Sequence, residues 1–425
     1  MRQEATPSPA HDVPSACARS RTPPSRLTAP CLSTVRRDIA RTHKPRLLFS
    51  TRWGRGGVKR ACAAAVLAAA CAAAAHSAER RPAYRVLSVR MPEPITYVGA
   101  LTCPGLAPDR LVRWPQPPGA PDPGSEAPPV QVVMVADGQN HRSRIRLEGG
   151  ALVVEPLGDC RPPVRVERPG LVDGGRVETG TGYIAQAWLA VPTLKYRHGT
   201  LSNVITAAEL RVTNRQGDTL RYPLPDDAVF EDRWARTVFV DGQDAVLVVR
   251  SGLKDGAALA LFGLDRQAAD ASGLVLLARS ASLGAPNLWL NPIGVGDFDG
   301  SGRSQIAAVL NPDAGGVLAI YQREGVKLVE RYREPGFSNH EMYSDELGMA
   351  ALLDANGDGI TDLAVPDAKR RALRVVTFAD GRFAELQRIP HDSPIVSAIV
   401  AQALGPGGPS LVYALEDGTV VVVTK

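Results

Sequence analysis

The second half of this chain repeats itself, and that constrains its fold more than anything else in the sequence. The segments "IGVGDFDGSGRSQIAAVLNPDAGGVLAIYQREG", Ile293 to Gly325, and "MAALLDANGDGITDLAVPDAKRRALRVVTFADG", Met349 to Gly381, follow one plan. Each runs apolar strand, Asp/Gly loop, apolar strand, turn and alternating strand. Asp297 and Asp354 occupy the same place, 57 residues apart. A weaker copy, "TVFVDGQDAVLVVRSGLKDGAALALFGLD", puts Asp241 56 residues before Asp297. A fourth, "IVAQALGPGGPSLVYALEDGTVVVV", closes the chain with its acids lost from the loop. The strands are short, β-branched and alternating, and no sustained 3.6-residue period competes with them. A unit of roughly 45 to 60 residues with four short strands is the period of a propeller blade, whose ring closure removes the free sheet edges that would otherwise aggregate. The stacked solenoid is the rival, but its repeats are usually shorter. The expectation is an all-β chain: a β-propeller of about five or six four-stranded blades over 171–425, with an N-terminal β-rich segment over 79–170 that holds a Pro-rich loop, Trp114 to Val130. That segment forms a small cap or supplies strands to the last blade.

The formal charge of +5 over 425 residues is misleading. Residues 1–60 hold 13 Lys/Arg against 3 Asp/Glu, which leaves 36 basic and 41 acidic residues for the rest. The body of the protein therefore carries no basic surplus for nucleic acid. Val58-Lys59-Arg60 precedes "ACAAAVLAAACAAAA" and then "HSAER". A short basic stretch, an apolar run and small residues near Ala75 to Ala78 form the pattern of a secretory signal, placed at 58–78. The run is too short and too Ala-rich for a transmembrane helix, so none is expected in the mature chain. Residues 1–57, rich in Pro, Arg and Ser, read as a disordered, mis-called extension; a cytoplasmic tail before an anchor is the other reading. "LAAAC" also loosely matches a lipoprotein signal, which would put a lipid anchor on Cys71. Only Cys103 and Cys160 lie beyond the signal, and in an exported protein two cysteines most simply form one disulfide.

In "DANGDGITD" the oxygens of Asp354, Asn356 and Asp358 fall at alternate positions and Asp362 at the ninth, with the Ile360 carbonyl at the seventh. Gly357 and Gly359 permit the positive φ that wraps backbone around an ion. A hard cation such as Ca2+ takes six to eight oxygens, several of them carboxylate. An EF-hand would need Glu at position twelve and helices on both sides; here position twelve is Val365 and both flanks are strands. The motif D-x-N-G-D-G-x-x-D between strands, at this repeat spacing, resembles the FG-GAP/VCBS repeat family, including integrin-alpha-like repeats. The resemblance covers 240–400 well. It implies extracellular or cell-surface β-propellers that bind calcium in the loop joining the first two strands of a blade. It extends to the earlier loop at Asp297, Asp299, Ser301, Arg303 and Gln305, where Ser301 and Gln305 replace acids and weaken the expected site. Plain polar turns are the alternative for both loops.

Nothing in the chain matches a known catalytic motif, so no catalytic residue is named. In a propeller the segments entering each first strand gather on the face opposite the Asp/Gly loops. Those segments carry Trp234, Trp289, His340, Glu341, His391 and Asp392, the candidate ligand-binding residues, with solvated inter-blade loops as the bland alternative. The expected function is an exported calcium-binding β-propeller that binds a protein or glycan of the cell envelope, located in the periplasm, on the cell surface or in the medium. The alternative is a propeller-fold hydrolase or lyase with its site at that channel mouth; a pure envelope scaffold is a third reading.

Overall fold

The computed structural model describes residues 84–103, 130–158, 166–264, 273–405 and 408–425. The 1–57 extension, the 58–78 signal, Cys71 and Cys160 lie outside the described residues, so the Cys103–Cys160 pairing does too. Residues 76–425 form one compact unit. The described residues are all-β, with one 3-10 turn at Ala379–Gly381 and no α-helix. Among them no helix is long and apolar enough to cross a membrane.

The chain opens with β1 (Arg85–Arg90) and then folds into successive antiparallel meanders. The first is β2 (Ile95–Cys103), β3 (Val130–Asp137), β4 (Arg142–Glu148) and β5 (Ala151–Pro156). The second is β6 (Glu178–Thr179), β7 (Ile184–Thr193), β8 (Thr206–Asn214) and β9 (Thr219–Pro223). After the short bridging strand β10 (Ala228–Phe230), the third is β11 (Arg236–Val240), β12 (Gln243–Gly252), β13 (Gly256–Leu264) and β14 (Leu274–Ser280). The fourth is β15 (Leu290–Gly296), β16 (Gln305–Leu310), β17 (Val317–Glu324) and β18 (Lys327–Pro335). The fifth is β19 (Ala351–Leu353), β20 (Asp362–Pro366), β21 (Ala372–Thr377) and β22 (Ala384–Pro390). The sixth has only three strands of its own, β23 (Val400–Ala403), β24 (Pro409–Ala414) and β25 (Thr419–Thr424). β1 supplies its fourth, pairing antiparallel with β25 from Arg85↔Thr424 to Arg90↔Thr419. Strands β10 and β14 link the second, third and fourth meanders into one continuous ladder, the β14–β18 pair being parallel.

The middle strands read as unbroken apolar runs because both of their faces are buried, as in any sheet stacked on two sides. In β12, Val246 and Val248 pack with Leu189, Leu210 and Phe230 of the second meander and its following strand. The alternate residues Leu247 and Val249 pack with Trp289, Leu290 and Ile306 of the fourth. The same alternation continues along the chain. Val309 and Ile320 meet Leu363 and Val376, and Leu373 and Val375 meet Leu411 and Tyr413. Val412 and Val422 in turn meet Val98, Val133 and Val135 of the first meander. The core is thus a series of apolar layers, one between each pair of neighbouring meanders from the second round to the first. Their first strands pack in the same order, β11 on β15, β15 on β19, β19 on β23 and β23 on β2.

Candidate functional site

Two polar features stand out from this core: the Asp/Gly loops and a convergence of charged groups beside the first strands. The loops join first to second strands in the fourth and fifth meanders. In the 354–362 loop Asp354 is the organising residue. Its Oδ1 accepts the N–H groups of Gly357 (2.7 Å) and Asp358 (3.2 Å), and its Oδ2 accepts that of Gly359 (3.0 Å). Asn356 Oδ1 accepts the Asp358 N–H at 3.0 Å, and Asp358 Oδ1 accepts that of Ile360 at 2.8 Å. Gly357 and Gly359 both sit at positive φ, 86° and 82°, where a side chain would be strained. Asp362, at the start of β20, is fully buried. Its Oδ2 accepts the Ala355 N–H at 2.9 Å, while its Oδ1 has no hydrogen-bond partner. Burial, reinforced by the nearby Asp358 and Asp354 charges, pushes its pKa up to about 6. The Thr377 hydroxyl pulls the other way, yet no donor meets Oδ1 in hydrogen-bonding geometry.

The 297–305 loop is built on the same frame with a different ninth residue. Gln305 is also fully buried, and its Oε1 accepts the Phe298 N–H at 3.0 Å, the counterpart of the Asp362–Ala355 bond. Its other side-chain atom is occupied: Nε2 donates to Asp299 Oδ2 at 2.7 Å, as does the Tyr332 hydroxyl at 2.9 Å. Burial works to raise the Asp299 pKa, but donors from Ser301, Gln305 and Tyr332 outweigh it and hold the carboxyl below its ordinary value. Asp297 Oδ2 accepts the Gly302 N–H at 2.7 Å, and its Oδ1 is buried without a partner. Arg303 turns its guanidinium to the Gln322 amide oxygen. As the side chains stand, no three His, Cys, Asp or Glu residues among the described residues are gathered as a metal centre. The chemistry of the 354–362 loop nonetheless fits a hard cation. Its orphaned, buried carboxylate oxygen lies close to two further carboxylates, and the Asn356 amide of this loop donates to Asp358 Oδ2 at 2.7 Å, leaving Asp362 Oδ1 without a donor.

The segments on the opposite face do not bring the six expected ligand residues to one place, and the two that touch, Trp289 and His340, are both buried. Trp289 is buried, its indole N–H donating to the Glu231 carbonyl at 2.9 Å. His340 is buried edge-on against it, Nδ1 on Asp313 Oδ2 and Nε2 on the Ser344 carbonyl, both at 2.9 Å. These two side chains are internal supports with every polar atom engaged. Glu341 is ion-paired to Arg370 at 2.8 Å, which lowers its pKa. His391 meets the Tyr413 hydroxyl at 2.8 Å, and burial holds its pKa below the ordinary value. Asp392 is exposed, and its carbonyl accepts from Arg371.

Of the six, Trp234 makes direct contacts in the second feature, and His340 acts on its Glu346 only electrostatically. The Trp234 indole N–H donates to Glu178 Oε2 at 2.7 Å, and the Arg176 guanidinium lies over its ring at 3.4 Å from the centroid. Arg236 also stacks on Trp234, at 4.6 Å, while pairing with Asp232 and Asn291. Asn291 Nδ2 donates to the carbonyls of Asn339 and Leu347. Next to Leu347, the Glu346 carboxylate accepts the Gly348 N–H at 2.6 Å. Burial raises the pKa of Glu178 and of Glu346, and Arg176 opposes both shifts. Tyr97 of β2 feels both Arg176 and Glu346. Its hydroxyl occupies the space that a Cβ on Gly99 would fill, 2.1 Å away. Residues beside the first strands of three meanders are thus in direct contact here, Arg176 with Glu178, Trp234 with Arg236, and Asn291, and the charges of this group are felt by Glu346 of the fifth and Tyr97 of the first. The sequence reading missed Arg176, Glu178 and Tyr97. The first strand of the second meander is only two residues long, too short to show a period, and Tyr97 lies more than 70 residues away along the chain.

No family model matches the chain, and no curated protein is similar to it. Among solved structures it is similar to BBS1N, crystallised in complex with ARL6DN and soaked with mercury. That match has 11% identity and a TM-score of 0.31, covering 69% of this chain and 86% of the other. It is also similar to the WD40 domain of Toxoplasma gondii coronin, with 10% identity and a TM-score of 0.31, covering 69% of this chain and 65% of that one. At that score neither likeness bears on the fold.

Proposed function

We propose that the chain is an exported β-propeller of six blades, of the FG-GAP/VCBS type, that holds Ca2+ in the 354–362 loop and serves as a binding module for a protein or glycan of the cell envelope. The observation that carries the architecture is the serial stacking of six meanders whose first strands bring polar groups to one place. In this reading the first meander returns to the second at Tyr97 and Arg176, and β1 closes the ring. Asp354, Asn356, Asp358, the Ile360 carbonyl and Asp362 hold the cation, which supplies the positive charge that the orphaned Asp362 oxygen lacks. Multi-loop concave surfaces of this kind are where rigid scaffolds bind ligands. A second reading, a hydrolase or lyase, draws support from the raised pKa values of Glu178 and Glu346.

Thermal unfolding of the full chain with Ca2+ and with chelator, beside Asp358→Ala, tests the cation. A midpoint raised by Ca2+ in the wild type and not in the variant is expected; equal midpoints in all four samples would remove calcium from the reading. Small-angle scattering tests the ring separately, since an open stack of sheets is longer than a closed one.

A further inference from the structure

We propose that the convergence around Arg176 is a binding site for an acidic sugar residue, its carboxylate on the Arg176 guanidinium and its hydroxyls on Glu178 and Glu346. The inference rests on the ring and the glycan reading above and names the ligand chemistry at one place within them.

The argument starts from unequal satisfaction of three neighbouring arginines. Arg233 uses four of its five donors, on Asp345, the carbonyls of Ile205 and Asn203, and Asn203 Oδ1. Arg236 is buried against Asp232, Asn291 and the Trp234 carbonyl, with only its Nε left without an acceptor. Arg176 donates no side-chain hydrogen bond and forms no ion pair among the described residues. Arg176 is exposed as a residue, while burial, with the neighbouring Arg236 charge, lowers the pKa of its guanidinium. It is also held in place. Its backbone N–H donates to the Arg233 carbonyl at 3.0 Å, and its guanidinium plane rests on Trp234, which Glu178 fixes from the edge and Arg236 from the ring. A fork of five free donors, ordered before any ligand arrives, is the arrangement that favours planar carboxylates.

A simple anion would bring no donors to the Glu178 and Glu346 carboxyls beside it, and a simple cation would meet Arg176. A ligand carrying one carboxylate and several hydroxyls satisfies all three groups.

Titration calorimetry of the full chain with galacturonate, trigalacturonate, galactose and acetate tests the proposal. Saturable binding of galacturonate is expected, at least tenfold tighter than galactose or acetate. Trigalacturonate binding tighter still marks a glycan rather than a free sugar as the source. Arg176→Lys, which keeps the charge but loses the fork and its stack on Trp234, should weaken galacturonate at least tenfold at a temperature where the variant is folded. Galacturonate binding unaltered by Arg176→Lys would overturn the proposal, as would acetate binding as tightly as galacturonate. A scattering profile of a closed ring with no saturable heat from any probe would remove this site and leave the ring reading standing.

Discussion

The ninth residue of each Asp/Gly loop decides how that loop is neutralised. Asp362 and Gln305 make the same bond to the N–H of the loop's second residue, at 2.9 and 3.0 Å. The remaining atom is an unpartnered carboxylate oxygen in one and an amide donor in the other. The alternate spacing of acids was legible in the sequence because it is local. What spacing could not show is that the Gln305 amide does for Asp299 what a cation does for carboxylates. The consequence for Asp362 has a sign. Its pKa in the fold, about 6, lies above the ordinary 3.8, so the metal-free fold holds this proton more tightly than the unfolded chain. The resulting stability is fully present below about 3.8 and is lost as pH rises through about 6, a loss of ~3 kcal/mol. Carboxyls held below their ordinary values, such as Asp299 and Glu341, work in the opposite direction, so the total midpoint does not report Asp362 by itself. Glu178 and Glu346 move it in the same direction as Asp362, so the difference between the wild type and Asp362→Asn isolates this group. The variant should be the more stable at pH 7 without Ca2+ and should not respond to Ca2+. Parallel pH profiles of the two proteins would refute the assignment.

At the scale of elements, the two loops are joined to each other. The Thr361 N–H donates to the Asp297 carbonyl at 2.9 Å, and the 3-10 turn of the fifth meander adds a second tie, from the Asp380 N–H to the Asp299 carbonyl at 3.2 Å. A Cβ on Gly300 would come within 2.9 Å of the Ile360 side chain. Order gained in one loop is thereby passed to its neighbour, which leads to a prediction for Gln305→Asp. The change removes a buried donor from Asp299 and adds a carboxylate, so in chelator it should cost ~1–3 kcal/mol. With Ca2+ it should bind one more ion per chain than the wild type, as counted by equilibrium dialysis, and recover most of that loss. The segment entering the fifth meander makes a contrasting case. From sequence His340 and Trp289 were candidates for contact with a ligand, because polar and aromatic residues cluster before each first strand. The structure turns both inward, His340 bonded at both nitrogens. His340→Ala should cost about 2–3 kcal/mol by leaving Asp313 without its ring partner. It should leave galacturonate affinity unchanged at temperatures where the variant is folded, and a changed affinity at constant fold would place His340 in the site.

For the whole molecule, the repeat made four of the meanders legible, because an Asp/Gly loop or its remnant recurs at near-constant spacing. The other two were harder. The second meander begins with a two-residue strand, and the first is interrupted between β2 and β3 by the Pro-rich stretch. The pairing of β1 with β25 was legible only as one of two alternatives, strands supplied to the last blade or a cap, since the two strands lie far apart along the chain and no local pattern couples them. β1 looks dispensable by its own burial, with mostly exposed or half-buried side chains. Its value lies in the edge it covers. Without it, β25, "TVVVVT", would present a row of unpaired backbone groups on a strand of high β-propensity and no charge. A chain beginning at Met91 should therefore lose six residue pairs with β25 and unfold at a lower temperature. It should also self-associate through the exposed edge. Replacing Val421 in that truncated chain with Lys would break the edge but place a charge in the layer beside Tyr413. Arg85→Pro in the full chain is the cleaner probe, because it weakens only the outermost end of the pairing. Sedimentation of the truncated chain as a stable monomer would show that the sixth sheet does not need β1. Concentration-dependent association that residues 84–90 added as a peptide suppress would show that the two ends of the chain close one sheet.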